Sequence, residues 1–208
     1  MTKITINRDD IININTTDTE LIVELKDNAD KSQILLKDIS VGETFKIGGE
    51  EWIVLEHFKD TTICLRKELL LVKFKFDATT NNFSKSYINH FLNVHYKEKL
   101  QRLVGNNLCE HIVDLTADDG LKDYGTCKSL YVSLLTCEQY RKYTDIMLKY
   151  NPKQWWWLAT AHSTPTRVHR ALVRCVDCGG ALCNDCCGSY SGVRPVIILN
   201  NLLHVDEV

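Results

Sequence analysis

Five of the nine cysteines, Cys175, Cys178, Cys183, Cys186 and Cys187, fall within thirteen residues. Cys175-x-x-Cys178 and Cys183-x-x-Cys186 form two CxxC pairs, a donor set suited to tetrahedral zinc or an iron–sulfur centre. Only four residues separate the pairs, however, and folding a second knuckle back onto the first usually takes a dozen or more. A thiol nucleophile would need a partner base. Nothing in the sequence marks one, although His162 and His169 lie upstream. The cluster is therefore expected to hold no cofactor, and a zinc- or thiol-based module stands as the competing reading. The other cysteines (Cys64, Cys109, Cys127, Cys137) sit in ordinary core or helix-start contexts. An odd, uneven total does not suggest a disulfide framework.

Other side chains with chemical potential are weaker candidates. Asp114, Asp118, Asp119 and Asp123 crowd around LTADDGLKD but lack the twelve-residue spacing of a calcium loop, so a solvated loop is expected. His90 and His95 read as partly buried helix residues. In strand geometry Trp155 and Trp157 share one face and Trp156 takes the other, which favours core packing over a sugar-stacking platform. No paired acid and base is visible, and no enzyme is expected.

The elements that must position these residues are legible from Ile39 onward. Gly48-Gly49 sits between two short apolar runs and reads as a hairpin. TTICLRKE and LLLVKFKF read as strands. Ser86 opens a helix with Ile88, Phe91, Leu92, Tyr96, Leu100 and Leu103 on its apolar face. Thr136 to Gln139 fits a capping box for a second helix, with Tyr140, Tyr143 and Met147 inward. WWWLAT, Ala171–Val176 and Val193–Leu199 return to strand. Residues 1–38 read as an N-terminal extension or small β element, with short apolar pieces at Lys3–Ile6 and Leu21–Leu25. Residues 39–208 read as one α+β domain.

Composition limits the class. The chain has 208 residues, 44% hydrophobic and 25% charged, with a formal net charge of -2, which gives no general attraction to nucleic acid. No run approaches a membrane span. MTKITINRDD lacks the apolar core of a secretion signal, so synthesis and folding in a cytoplasm are expected.

One stretch obeys a different rule. From Leu158 to Asp206, 49 residues contain no Lys, Glu, Gln, Met or Trp, whereas those types supply 37 of the first 157 residues. At that composition such an absence is an event of about one in a million. Every residue in the stretch belongs to the set encoded by codons ending in a pyrimidine. Replacing both adenines of Asn codons at random, with the third base kept, yields that set. Selection for a fold or for catalysis gives no reason for it.

Trp156-Trp157-Leu158 and Gly192-Val193-Arg194-Pro195 frame this stretch. Together with Phe45-x-Ile47-Gly48, Trp52-x-Val54-Leu55, Ser86-x-Ile88, Phe91-Leu92-Asn93 and Leu134-Leu135-Thr136, they resemble a domain of C-type lectin fold. Val176, Gly180 and Leu182 fall where relatives keep fixed residues between Asn codons. That pattern resembles the variable protein of a diversity-generating retroelement. The match covers roughly residues 39–200 and departs from the pattern at Ala159, where relatives usually carry Arg, and in the three consecutive tryptophans Trp155, Trp156 and Trp157.

The resemblance implies a C-type lectin-like fold with short strands, two helices and an irregular variable region at about residues 160–191. It implies a ligand- or receptor-binding protein, displayed on a virus particle or cell surface, that meets a protein or carbohydrate on its target without entering a membrane. The variable positions would be His162, Ser163, Thr164, Thr166, Arg167, His169, Arg170, Arg174, Cys175, Asp177, Cys178, Ala181, Cys183, Asn184, Asp185, Cys186, Ser189 and Tyr190. Tyr190, the arginines and the histidines are the expected affinity anchors, because aromatic and Arg side chains dominate interface hot spots. Asp177, Asn184, Asp185 and Ser189 are expected to tolerate substitution.

Overall fold

The computed structural model describes residues 11–16, 21–25, 33–165 and 171–208, with side chains from residue 33 onward. Lys3–Ile6 and the sites Thr166, Arg167, His169 and Arg170 lie outside the described residues. The chain divides into two compact units, Met1–Ser32 and Gln33–Val208. In the first, β1 (Ile11–Thr16) and β2 (Leu21–Leu25) pair antiparallel. The second begins ahead of Ile39, because β3 (Gln33–Leu35) pairs with the last strand of the chain.

Four strands follow: β4 (Thr44–Ile47), β5 (Glu50–His57), β6 (Thr61–Arg66) and β7 (Leu71–Lys75). Next come α1 (Tyr87–His90), a π-helical segment (Phe91–Tyr96) and α2 (Lys97–Val104). The chain continues through β8 (Leu108–Cys109), β9 (His111–Asp114), β10 (Thr126–Leu130) and β11 (Val132–Ser133) to α3 (Cys137–Lys142) and α4 (Thr144–Lys149). It closes with β12 (Trp156–Ala161), β13 (Leu172–Val176), β14 (Leu182–Cys186), β15 (Tyr190–Val193), β16 (Val196–Asn200) and β17 (His204–Glu207). The fold is mixed α+β, mostly strand.

Local chemistry explains the element boundaries. Ile47 pairs with Glu50, so Gly48 and Gly49 form a two-residue loop, and both take positive φ as a primed hairpin turn demands. Ser86 caps α1 by accepting from the Asn89 N–H. The capping box is formed: Thr136 Oγ1 accepts from Gln139 N, and Gln139 Oε1 accepts from Thr136 N.

The long helix departs from expectation at one point. Ile88, Leu92, Tyr96, Leu100 and Val104 are buried at strict four-residue spacing, while Leu103 is exposed. A four-residue step drifts about 40° on an α-helix. The π-helical segment turns less per residue and returns the stripe to the core, so Val104 takes the place expected of Leu103.

Two sheets dominate the described part of the larger unit. One has eight strands, in the order β11-β16-β6-β5-β4-β17-β3 with β8 also on β16. The other has five, in the order β14-β13-β12-β15-β7. β12 is buried throughout and feeds two cores. Trp157 and Ala159 join Phe45, Phe76 and Leu92, whereas Trp156 and Leu158 join Leu55, Tyr140 and Met147. Trp155 stays 44% exposed.

Candidate functional site

Within the segment expected to be irregular, residues 172–186 form a hairpin. β13 and β14 pair residue for residue: Leu172 with Cys186, Val173 with Asp185, Arg174 with Asn184, Cys175 with Cys183 and Val176 with Leu182. Alternation explains why it forms. Cys175 enters the core of Trp157, with Cys183 packed against it, while Val176 enters the core of Trp156, with Leu182 packed against that. The turn between the strands is closed by Asp177. Its Oδ1 accepts from the N–H groups of Gly179 at 2.8 Å and Ala181 at 2.9 Å, and Gly180 takes φ +87°. A side chain at Gly180 would be strained by that φ and would press on Leu148 Cδ2.

The expected variable positions divide by exposure. Cys178, Ala181, Asn184, Cys186 and Tyr190 are exposed, and His162, Arg174, Asp177, Cys183, Asp185 and Ser189 are half-buried. Ser163, Thr164 and Cys175 are buried, which corrects their assignment to an exposed surface. Ser163 Oγ donates to Asp119 Oδ2 at 2.7 Å, and Thr164 Oγ1 donates to Asp123 Oδ2. The acidic loop is therefore joined to this segment instead of standing free in solvent. Arg174 is engaged as well: its Nε lies 3.4 Å from Asp118, which also receives Arg141 Nη2 at 2.8 Å. Asp177 and Asp185 are not freely exchangeable either. Asp177 holds the turn, and Asp185 Oδ1 accepts from Cys186 N and Ser189 Oγ. Tyr190 stands among the exposed positions. It is 64% exposed, and Lys75 Nζ stands 5.1 Å from its ring centre.

Residues outside the segment hold it through its main chain. Asn81, fully buried, donates from Nδ2 to the carbonyls of Ser163 at 2.8 Å and Leu172 at 2.9 Å. Tyr124 Oη orients that amide by donating to Asn81 Oδ1. At the other end, Tyr140 Oη donates to the Gly180 carbonyl at 2.5 Å. Asn151 Nδ2 donates to the carbonyls of Asp177 and Cys178, and Trp156 Nε1 donates to Asn151 Oδ1. Asp77 N donates to the Cys187 carbonyl at 3.0 Å. Buried carbonyls need such partners whatever side chain the residue carries. Sequence reasoning missed Asn81, Tyr124, Tyr140 (as a clamp) and Asn151, since no local pattern distinguishes a clamp from any other Asn or Tyr.

Arg194 secures the end of the segment. It is fully buried. Its Nε donates to Arg66 O, its Nη2 to Lys67 O and Tyr150 O, and its guanidinium lies 5.2 Å from the Trp156 ring centre. Burial lowers its pKa to about 10, so it remains cationic at neutral pH.

Burial raises the pKa of Cys175 and Cys183, and pushes Cys187 up to about 11, so these three are protonated at neutral pH. Among the described residues, no three His, Cys, Asp or Glu side chains are placed to hold a metal ion together. No helix among them is long and apolar enough to cross a membrane. No protein-family model matches the chain, and neither a curated protein nor a solved structure matches it significantly.

Proposed function

We propose that this chain is a ligand-binding protein of C-type lectin-like fold, whose β13–β14 hairpin and adjoining turns present a surface diversified by adenine-directed mutagenesis. One observation carries the reading. Asn81, Tyr140 and Asn151, which lie outside the stretch with the restricted alphabet, grip its main-chain carbonyls at Ser163, Leu172, Gly180, Asp177 and Cys178. Such a grip is indifferent to which side chains the stretch carries. The exposed side chains can then change with stability shifts of about 0.5 kcal/mol or less, while the backbone that presents them stays put.

The positions where the resemblance implies fixed residues support this division. Val176 is buried, Leu182 packs on the second core and Gly180 occupies the left-handed turn. Among the described residues, Cys178, Ala181, Asn184, Cys186 and Tyr190 form the exposed set, joined at the edge by Ser189. The partner is a protein or carbohydrate on a target surface, with Tyr190 as the leading anchor, and a virus particle is a fitting place of display.

A library with pyrimidine-ending codons at Ala181, Asn184, Cys186, Ser189 and Tyr190 tests this. Most members should melt cooperatively near the parent temperature, and selection against an unrelated folded protein should yield binders that differ at these positions. A library that mostly fails to fold would contradict the proposal.

A further inference from the structure

The β13–β14 register places one cysteine directly opposite another. Cys178 lies in the turn, Cys186 faces Leu172, and Cys187 hydrogen-bonds with Ala171, but Cys175 faces Cys183. Their sulfurs stand 2.9 Å apart, and the Cys183 thiol also reaches the Cys175 carbonyl at 3.4 Å. Opposed residues of an antiparallel ladder have Cα atoms about 4.5–5.5 Å apart, inside the roughly 4.4–6.8 Å that a disulfide spans. Access is asymmetric. Cys175 is fully buried, across the ladder from Trp157, whereas Cys183 is half-buried on β14, which among the described residues is the edge strand of its sheet and pairs with β13.

We propose that Cys175 and Cys183 are a dithiol site that a low-molecular-weight disulfide of the glutathione class converts into a cross-strand disulfide. Cys183, as the thiolate, attacks one sulfur of the oxidant and expels its first thiolate. Cys175 then loses its proton and attacks Cys183 Sγ in the mixed disulfide, expelling the second. The two cysteine protons end on the two released thiols. One protein S–S bond forms, two cysteines are oxidised and one small disulfide is reduced. Burial keeps both thiols protonated at neutral pH, so the exchange is slow there and accelerates as pH rises. The product ties the outermost strand of the sheet to its neighbour.

The experiment uses the full chain, equilibrated with reduced and oxidised glutathione mixtures, blocked with N-ethylmaleimide in denaturant, digested and mapped by mass spectrometry. The expected product is a peptide pair linked Cys175–Cys183 that accumulates as the oxidised fraction rises and reverts with excess reduced glutathione. Amides of Leu182–Cys186 should exchange more slowly in the linked form. The Cys183→Ser protein should leave Cys175 fully alkylatable. Because the mapping is done on the unmutated chain, a folding defect in that variant does not obscure the result. Recovery of Cys175 and Cys183 both alkylated under the most oxidising mixture, or of Cys183 linked to another cysteine, overturns the proposal.

Discussion

Tyr140 holds Gly180 by the main chain: its hydroxyl donates 2.5 Å to the carbonyl of the residue at the hairpin tip. Tyr140→Phe keeps the ring, packed 5.9 Å centre to centre with Trp156, and removes only that donor. The expected cost is about 1 kcal/mol, read by urea unfolding, with faster amide exchange at Gly179 and Ala181 than elsewhere in the sheet. Unchanged exchange at the tip would show that the clamp is dispensable.

The same hairpin contains two acids or amides of opposite sensitivity. Asp177 organises the turn through two backbone hydrogen bonds, so Asp177→Ala should cost about 1–2 kcal/mol, in the range of a lost cap. Asn184 is exposed, so Asn184→Ser should stay within about 0.5 kcal/mol. Equal losses at the two positions in thermal melts would contradict the division between backbone-holding and displayed side chains.

Much of the scaffold was legible in the residues. The Gly48-Gly49 turn, the Thr136–Gln139 capping box and the alternation of Trp156 and Trp157 each rest on interactions within a few positions, where spacing alone determines geometry. The clamps do not. Asn81 lies 82 and 91 residues from the carbonyls it holds, and its role arises from sheet packing that no local pattern encodes. The burial of Ser163, Thr164 and Cys175 was hidden for the same reason: polar side chains are buried here by partners from a distant acidic loop or from the neighbouring strand. β14 escaped notice because Leu182–Cys186 carries no apolar alternation strong enough to announce an edge strand.

Acid sensitivity should trace in part to His111. Its Nε2 lies 2.9 Å from Ser133 Oγ, and burial holds its pKa down to about 4, against about 6.5 in an unfolded chain. Between those values the unfolded chain binds the extra proton. Stability from this group is therefore complete above about pH 6.5 and falls as pH drops toward 4, by up to about 3 kcal/mol. His111→Gln should flatten that fall when urea unfolding is compared at neutral and mildly acidic pH. Parallel pH profiles for the two proteins would exclude His111 as a source.

The central claim is that residues of the restricted stretch were written by a copying process that alters adenines. Sequencing the DNA around the gene tests it most directly. The account expects a second copy of the codons for residues 160–195, beside a reverse transcriptase gene, that differs from the coding copy almost only where the second copy carries adenine. Absence of such a copy, or mismatches spread evenly over the four bases, would contradict it.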